Sequence, residues 1–432
     1  MAANTELSLR QQVIYSIFVR NYSESGTFRA VEEDLPRIKA LGTDIIWLMP
    51  IQPVGEKNRK GSLGSPYAIS DYRTINPEFG TLDDFKSLCH AIHREGMKVI
   101  IDVVYHHTSP DSLLSKVYPE YFYHKPDGSF GNQVGDWWDV IDLDFSNHDL
   151  WNYLIETLRY WAGFVDGFRC DVASGEPKAF WEEARAAVAE VRPDALWLAE
   201  SVDPDFIVFL RSRDLTALSD SELYDAFDIT YDYDIYTTFK SVLTGAAPLA
   251  DYANALNRQE FTYPGNYMKA RCLENHDRPR AHALIPNEQA LRNWTAMLYL
   301  LKGPVMLYNG QEQAMTHTPT LFDKDTLQWE KTPAIDLSSL MSKCKELRQD
   351  PLFIDFTFHA EAKGDVMVIT DTENSIDHQH KILGIFPAKG QPASVQVDLA
   401  NGSYTNLLTN ERVDIYENVV TTSGEAIIIS NR

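Results

Sequence analysis

Cysteine is scarce in this sequence, with four residues in a chain of 432. The four lie far apart, and their spacing matches neither a metal-binding motif nor a redox motif. The sequence therefore offers no disulfide framework, and we expect reduced thiols and a cytoplasmic location. The cysteines are Cys89, Cys170, Cys272 and Cys344.

Positive charge and long hydrophobic runs are also in short supply. Lys+Arg 39 against Asp+Glu 62 gives a net charge of -23, which repels nucleic-acid phosphates and anionic lipids. We therefore expect neither nucleic acid nor a membrane as a partner. No apolar run reaches the length of a membrane span, and Met1 to Gln12 lacks the apolar stretch of a secretory signal peptide. The sequence gives no indication of the oligomeric state.

Short apolar runs alternate with segments of helical periodicity over most of the chain. This alternation predicts an α/β protein whose eight strands close into a TIM (β/α)8 barrel. An open doubly wound sheet is the alternative, but no glycine-rich phosphate loop follows the first strand. The predicted strands are Val13 to Phe18, Asp44 to Leu48, Lys98 to Val104, Gly167 to Arg169, Leu196 to Ala199, Ala226 to Thr230, Arg271 to Glu274 and Val305 to Tyr308. Four of the predicted helices are Leu82 to Glu95, Asp149 to Phe164, Lys178 to Val191 and Glu288 to Leu301.

Two segments depart from the βα alternation. Residues 108–147, after the third strand, are too many for an ordinary βα loop and predict an inserted domain. From residue 351 to residue 432 the pattern becomes one of alternating strands and turns, which predicts a C-terminal antiparallel β-sandwich. The barrel then comprises residues 1–107 and 148–350.

Three acidic residues close apolar strand runs. Asp171, Glu200 and Asp277 follow the fourth, fifth and seventh predicted strands, and a TIM barrel gathers such strand ends around one cleft. Each carboxylate alone could equally be a solvated loop residue or a helix cap. Together they suit glycoside hydrolysis, in which one carboxylate attacks the sugar and a second, protonated one supplies the leaving oxygen with a proton.

These strand-end clusters, in this order, resemble the motifs of the α-amylase family, glycoside hydrolase family 13. The resemblance extends from about Val13 to Glu312 and identifies the residues 108–147 as the domain B of that family. It implies that Asp171 is the nucleophile, that Glu200 is the general acid/base, and that Asp277 grips sugar hydroxyls and helps to distort the ring. The motifs are Asp102-Val103-Val104-Tyr105-His106-His107, Gly167-Phe168-Arg169-Cys170-Asp171, Trp197-Leu198-Ala199-Glu200, Glu274-Asn275-His276-Asp277 and Gly303-Pro304-Val305-Met306-Leu307-Tyr308-Asn309-Gly310.

The same resemblance implies a substrate-binding set. His107 and His276 are similar to the imidazoles that bind hydroxyls of the sugar at the cleavage point, and Tyr67 to the aromatic platform beneath that sugar. Arg169 lies two residues before Asp171 on one strand, so its side chain projects to the same side and is expected to lower the pKa of the nucleophile. The implied function is that of a retaining hydrolase of α-1,4-linked maltooligosaccharides or glucan, acting through a covalent glycosyl-aspartate.

Two positions depart from the family pattern. The family often has a calcium-binding Asn where this chain has His106. An imidazole is a poor ligand for a hard cation that prefers oxygen, so we expect no metal and no cofactor.

Exo-acting α-glucosidases of the family often place an Asp where this chain has Gly64. That glycine predicts a less obstructed non-reducing side and argues against strict exo-cleavage. Aromatic residues of the insertion then either stack on further sugars or form its core, namely Tyr121, Tyr123, Trp137 and Trp138.

Three other functions are compatible with parts of the pattern. A transglycosylase on the same scaffold, including one acting on sucrose or α-1,6 linkages, would use the same two acids and differ only in the access of water. A metal-dependent TIM-barrel hydrolase is suggested by His106, His107, His276 and Asp277, but a His-x-His pair on the first strand is missing. A non-catalytic carbohydrate-binding protein would be expected to lack one of the three acids, and all three are present.

Overall fold

Eight parallel strands form one sheet in the computed structural model, which describes residues 5–135, 137–375 and 380–432. Nearly all their side chains are buried, because helices cover one face of the sheet and the barrel interior fills the other. The strands are β1 (Val13–Ile17), β2 (Ile45–Leu48), β3 (Lys98–Val104), β4 (Gly167–Asp171), β5 (Leu196–Ala199), β6 (Ile229–Tyr231), β7 (Lys269–Ala270) and β8 (Val305–Tyr308).

The sheet closes on itself through Arg271. The strand order is β8-β1-β2-β3-β4-β5-β6-β7, and Arg271, directly after β7, forms a parallel bridge with Val305 of β8. The Arg271 N–H donates to the Pro304 carbonyl at 2.8 Å, and the Met306 N–H donates to the Arg271 carbonyl at 2.8 Å. The predicted TIM barrel is therefore confirmed.

The sixth and seventh strands differ from their predicted positions. The predicted run from Ala226 to Thr230 begins as a turn, in which the N–H groups of Ala226 and Phe227 both donate to the Leu223 carbonyl. The predicted run from Arg271 to Glu274 lies beyond β7. Its Glu274 carboxylate instead binds Arg280 and the Ala281 N–H. A backbone turn thus occupies the start of the first run, and side-chain hydrogen bonds hold the end of the second.

Helices alternate with the barrel strands. Thr81 and Asp84 form a reciprocal capping box at the start of the helix after β2. The four predicted helices are all present, and each ends one to three residues earlier than its apolar pattern suggests. The helices are α1 (Val19–Tyr22), α2 (Phe28–Ala40), α3 (Leu82–Arg94), α4 (Leu113–Val117), α5 (His148–Ala162), α6 (Lys178–Ala189), α7 (Pro204–Arg211), α8 (Asp220–Leu223), α9 (Tyr236–Leu243), α10 (Leu249–Thr262), α11 (Ala281–Leu284), α12 (Glu288–Leu298) and α13 (Ser338–Arg348).

The insertion after β3 is held at both of its ends. His107–Thr108 pairs in antiparallel register with Ile141–Asp142, and further bridges join Phe122 to Leu143 and His124 to Phe130. The pairing begins three residues after β3 ends, so the insertion stands directly over the carboxyl edge of the barrel.

The C-terminal strands form the predicted antiparallel sandwich. One sheet has the order β9-β10-β11-β16, and two smaller sheets pair β12 with β15 and β13 with β14. Buried side chains such as Val368, Ile385 and Val420 form an apolar cluster within this domain. The strands are β9 (Phe356–Lys363), β10 (Val366–Glu373), β11 (Lys381–Pro387), β12 (Ala393–Gln396), β13 (Gly402–Thr405), β14 (Arg412–Ile415), β15 (Val419–Thr422) and β16 (Ile427–Ser430).

Candidate active site

The barrel brings Asp171, Glu200 and Asp277 to the rim of one cavity. Asp171 is the last residue of β4, and Glu200 follows β5 directly. The backbone holds the two together, because the Val172 N–H donates to Glu200 Oε2 at 2.8 Å. Asp277 lies in the loop after β7, and its side chain is the most exposed of the three, at 38%.

Arg169 binds three carboxylates at the bottom of this cavity. Its Nη1 atom donates to Asp171 Oδ1 at 2.8 Å and to Asp102 Oδ1 at 2.9 Å, and its Nη2 atom lies 2.9 Å from Glu200 Oε2. The guanidinium is fully buried and lies over the rings of Trp47 and Tyr231. One guanidinium thus orients both proposed catalytic acids.

Ionising all three carboxylates is unfavourable, because they are buried beside a single positive charge. Burial raises the pKa of Asp171 well above its usual range, and the nearby Glu200 adds to this, while Arg169 opposes it. Burial likewise raises the pKa of Asp102 to about 7. The expected lowering by Arg169 exists but is smaller than the effect of burial, so the net direction is upward. Burial thus opposes the ionisation of both Asp171 and Asp102, and Arg169 favours it.

Tyr67 and His276 form a stacked pair above Arg169. Their ring planes are 17° apart, with centroids separated by 5.6 Å, and the Tyr67 hydroxyl lies 2.7 Å from His276 Nε2. His276 Nε2 is also 3.1 Å from Asp277 Oδ2, and burial lowers the pKa of His276 to about 3. A neutral ring with its hydrogen on Nε2 fits these contacts, and it lets the Tyr67 hydroxyl donate to Asp102 Oδ2 at 3.2 Å.

His107 lines the cavity, whereas its neighbour His106 points elsewhere. The two Nδ1 atoms are 3.3 Å apart, and the ring of Trp137 from the insertion lies edge-on to His107 at 5.4 Å. Burial lowers the pKa of His107 well below its usual range. The structure thus brings together all seven residues named from the sequence, which are Asp171, Glu200, Asp277, Tyr67, His107, Arg169 and His276.

The cavity contains several residues that sequence reasoning did not select. Its volume is about 260 Å³. Asp102 had a usable signal, since it is a charged residue inside an apolar strand run. The others carry no local signal because they come from loops far apart in sequence. These additional residues are Lys60, Ser65, Asp139, Val140, Val172, Leu321 and Phe322, beside Trp137, which the sequence had already offered as a sugar contact.

Gly64 lies in a turn that favours glycine. Its φ is +77°, and a Cβ at this position would lie 2.8 Å from Val54 Cγ1 and 3.2 Å from Arg59 Cβ. A side chain here would therefore meet neighbouring residues of the turn. This turn gives the glycine a structural reason of its own, and the expectation of a less obstructed non-reducing side stays a prediction.

The four aromatic residues that the sequence analysis named in the insertion lie in different surroundings. Tyr121 is buried against Tyr118, with ring centroids 4.8 Å apart, and belongs to the apolar core. Trp137 lines the catalytic cavity, and Trp138 is 56% exposed. Tyr123 lines a separate cavity of about 420 Å³ beneath the insertion. The core alternative therefore holds for Tyr121, and the stacking of the other three on sugars stays a prediction.

The surroundings of His106 do not suit a calcium ion. Its Nδ1 lies 3.8 Å from Asp142 Oδ1, and its ring rests on Gly175, where an added Cβ would be 2.5 Å from Cδ2. A nitrogen and a ring thus occupy the place of an oxygen ligand. No group of three or more His, Cys, Asp or Glu side chains that could hold a metal ion is found in the described part of the chain.

Two family models match this sequence. The one described as "Alpha amylase, catalytic domain" matches residues 13–128 and 135–352. The one described as "Bacterial Alpha amylase C-terminal domain" matches residues 357–429. Between them the two matches cover the barrel and the C-terminal sandwich.

Solved structures of similar proteins match over nearly the full chain. An alpha-amylase from Lactobacillus plantarum is 47% identical with a TM-score of 0.94, covering 99% of this chain and 100% of that one. The noncanonic maltogenic alpha-amylase AmyB from Thermotoga neapolitana is 32% identical with a TM-score of 0.86, covering 98% of this chain and 99% of that one.

Curated relatives match over part of their length. Alpha-amylase MalA of Haloarcula japonica is 26% identical over 78% of this chain and 48% of its own. The alpha-1,4-glucan:maltose-1-phosphate maltosyltransferase of Rhodospirillum rubrum is 32% identical over 58% of this chain and 36% of its own. The chain thus spans half or less of the length of these two relatives.

Among the described residues, none of the helices has both the length and the apolar character needed to cross a membrane.

Proposed function

The chain belongs to the α-amylase family, and we propose that it is a retaining hydrolase of α-1,4-linked maltooligosaccharides that acts through a covalent glycosyl-Asp171 intermediate. The observation that carries this proposal is the contact of Asp171 and Glu200 with the two terminal nitrogens of Arg169 at one cavity. That arrangement supplies the pair of neighbouring carboxylates that the reaction requires.

Each catalytic carboxylate has one oxygen engaged and one available. Arg169 binds Asp171 Oδ1, so Oδ2 is the atom that attacks the anomeric carbon as the glycosidic bond breaks. The Val172 N–H and Arg169 bind Glu200 Oε2, so Oε1 carries the proton to the leaving oxygen. Glu200 then takes a proton from water, whose oxygen displaces Asp171 and restores the original anomeric configuration.

The remaining cavity residues suit one α-glucosyl unit. The Tyr67 ring covers the apolar side of the sugar, and His107, His276 and Asp277 bind its hydroxyls. Binding of further sugars outside this unit contributes energy to the transition state. We therefore propose faster cleavage of maltotetraose and longer chains than of maltose.

The substrate test is a panel of maltooligosaccharides, isomaltose, cyclodextrin, pullulan and sucrose, with all products resolved. Linear maltooligosaccharides should be cleaved fastest, and NMR should show the α-anomer as the first product. Faster turnover of isomaltose or sucrose than of every maltooligosaccharide would overturn the α-1,4 assignment. A β-anomer would overturn the covalent intermediate.

A glucanotransferase is the second candidate function. The match to a maltosyltransferase supports it, because transfer to a sugar uses the same two acids and replaces only the water. Products longer than the supplied maltooligosaccharide would identify transfer, and shorter products with new reducing ends would identify hydrolysis.

We also propose that catalysis requires no calcium beside His106. The support is the imidazole that rests on Gly175 in place of an oxygen ligand. Chelation with EDTA should leave the initial rate unchanged. A large loss of rate that calcium alone reverses would contradict this proposal.

The four cysteines are all free, and three of them are buried. They support a further proposal that the protein works in the cytoplasm.

A further inference from the structure

A loop after β2 contributes to the wall of the cavity that holds Asp171 and Glu200. We call residues 60–64 of this loop the cleft strap. At its start, Lys60 Nζ lies 2.8 Å from Asp139 Oδ1 in the insertion. The Asp139 side chain is 5% exposed and that of Lys60 is 26% exposed. This ion pair therefore joins the strap to the insertion from within the cavity wall.

The strap is also tied to the loop after β8. The Ser62 N–H and hydroxyl donate to Asp323 Oδ1 at 2.7 and 2.6 Å, and the Leu63 N–H donates to the Phe322 carbonyl at 2.9 Å. Buried beneath it, Arg20 donates to the Gly64 carbonyl at 2.9 Å and to the Leu321 carbonyl at 3.0 Å. Three elements that are distant in sequence are thus joined into one wall.

This wall stands on the Tyr67 and His107 side of the cavity. Lys60 and Phe322 line the same cavity as these two residues, and Tyr67 comes three residues after the strap. Burial is the largest cause of the lowered pKa of His107, and His106 is the next. The positive charge of Lys60 lowers this pKa further. The Lys60 ammonium is therefore close to the proposed hydroxyl-binding groups.

A partly exposed aromatic surface follows Glu200 in the chain and approaches the cavity at Trp137. Helix α7 begins four residues after Glu200. Its Phe206 ring lies 6.4 Å from Trp137 and is stacked on Phe209 at 5.9 Å. Because Glu200 protonates the leaving oxygen, the departing part of the substrate lies beyond Glu200, and the sugar held by Tyr67 and His107 belongs to the non-reducing part. The walled side then receives the non-reducing end.

We propose that the cleft strap restricts this enzyme to the non-reducing ends of α-1,4-glucans, with Lys60 hydrogen-bonding a hydroxyl of the terminal sugar unit. Lysine has three N–H donors, and Asp139 is the only acidic side chain within ion-pair distance of it among the described residues. The proposal rests on the proposed function. It also replaces the expectation of a less obstructed non-reducing side that was drawn from Gly64. The ion pair and hydrogen bonds of the strap form a wall on that side.

The test uses a chromogenic maltoheptaoside in two forms, one free and one blocked by a 4,6-acetal at its non-reducing end. The full-length enzyme should cleave the free form at least about tenfold faster than the blocked form, the size of one lost hydrogen bond to a charged group. Cyclodextrin, which has no end, should be cleaved as slowly as the blocked form. Equal rates on free and blocked forms would overturn the proposal.

Two variants test the role of the strap itself. Lys60→Met keeps the length of the side chain and removes its charge, and Ser62→Ala loosens the tie to Asp323. Both should raise the ratio of blocked to free cleavage by several-fold. Lys57→Met changes an exposed lysine of the same loop and should leave the ratio unchanged. An unaltered ratio in both strap variants would also overturn the proposal. Failure of the wild type to cleave any α-glucan would instead refute the proposed function.

Discussion

At the scale of single residues, Arg169 determines how the site is charged. It binds Asp102, Asp171 and Glu200, so one cation faces three acids in a buried place. Burial raises the pKa of Asp171 and that of Asp102. The same arrangement orients the two proposed catalytic carboxylates, and the positive charge of Arg169 opposes the effect of burial on Asp171 and Asp102.

Removing either catalytic carboxylate should abolish turnover without unfolding the protein. We expect Asp171→Asn and Glu200→Gln each to lose about a thousandfold or more in kcat, with a melting temperature close to that of the wild type. The matched control is Asp205→Asn, at an exposed carboxylate in the first turn of α7. Near-normal kcat in either catalytic variant would contradict the assignment.

His106 should make stability depend on pH. Burial lowers its pKa from 6.5 to about 4, so the unfolded chain binds a proton that the folded protein excludes. Its contribution to stability is complete above pH 6.5 and is lost as the pH falls towards 4. Between pH 7 and pH 5 the wild type should lose about 2 kcal/mol more unfolding free energy than His106→Asn. Urea unfolding at both pH values measures this, and parallel losses would refute it.

At the scale of elements, the segments that follow β3 and β4 are packed against each other. The His106 ring rests on Gly175, whose missing side chain gives the ring its space. This contact supports the first residues of the insertion, and His107 comes next in the chain. Packing between two βα segments therefore helps to place the His107 imidazole, for which we propose a role in substrate binding.

Gly175→Ala should reveal this packing. Its Cβ would lie 2.5 Å from His106 Cδ2, so we expect a loss of about 1–3 kcal/mol in unfolding free energy. Combining it with His106→Asn should remove most of that loss, because the smaller side chain makes room. Gly265→Ala, which faces open space, is the control and should change little. Strictly additive losses in the double variant would show that the two positions are not coupled.

At the scale of the whole molecule, the C-terminal sandwich shares a core with the barrel. Phe356, Met367, Ile369 and Phe386 belong to the same buried apolar cluster as the barrel helices. Asn293 of α12 donates from Nδ2 to the carbonyls of Pro387 and Gly424, at 2.8 Å each. The sandwich therefore stabilises the barrel from outside, without lining the catalytic cavity.

Asn293→Ala should weaken this domain contact. It leaves two buried carbonyl groups without their donor, so we expect a loss of about 1–3 kcal/mol in unfolding free energy with kcat unchanged. Lys389→Ala breaks only an exposed ion pair with Asp365 and should cost less than about 1 kcal/mol. Calorimetry and initial rates provide both measurements. Equal, small losses in the two variants would contradict a shared core.

The sequence alone determined the barrel, the sandwich and the three acids. Apolar periodicity located strands such as Lys98–Val104 and Leu196–Ala199 with the bounds that the structure shows, because a strand buried on both faces must be apolar along its length. The acids Asp171 and Glu200 could be named because parallel strands bring their carboxyl ends to one face.

Tertiary structure decided what depends on residues far apart in the chain. The pairing of Lys60 with Asp139, the bridge from Arg271 to Val305 and the turn at Gly64 leave no periodic signal, because each is fixed by loops that meet only in the fold. The net pKa shift of Asp171 is likewise set by burial. Burial is a property of the packed molecule, whereas the sequence shows only that Arg169 lies two residues before Asp171.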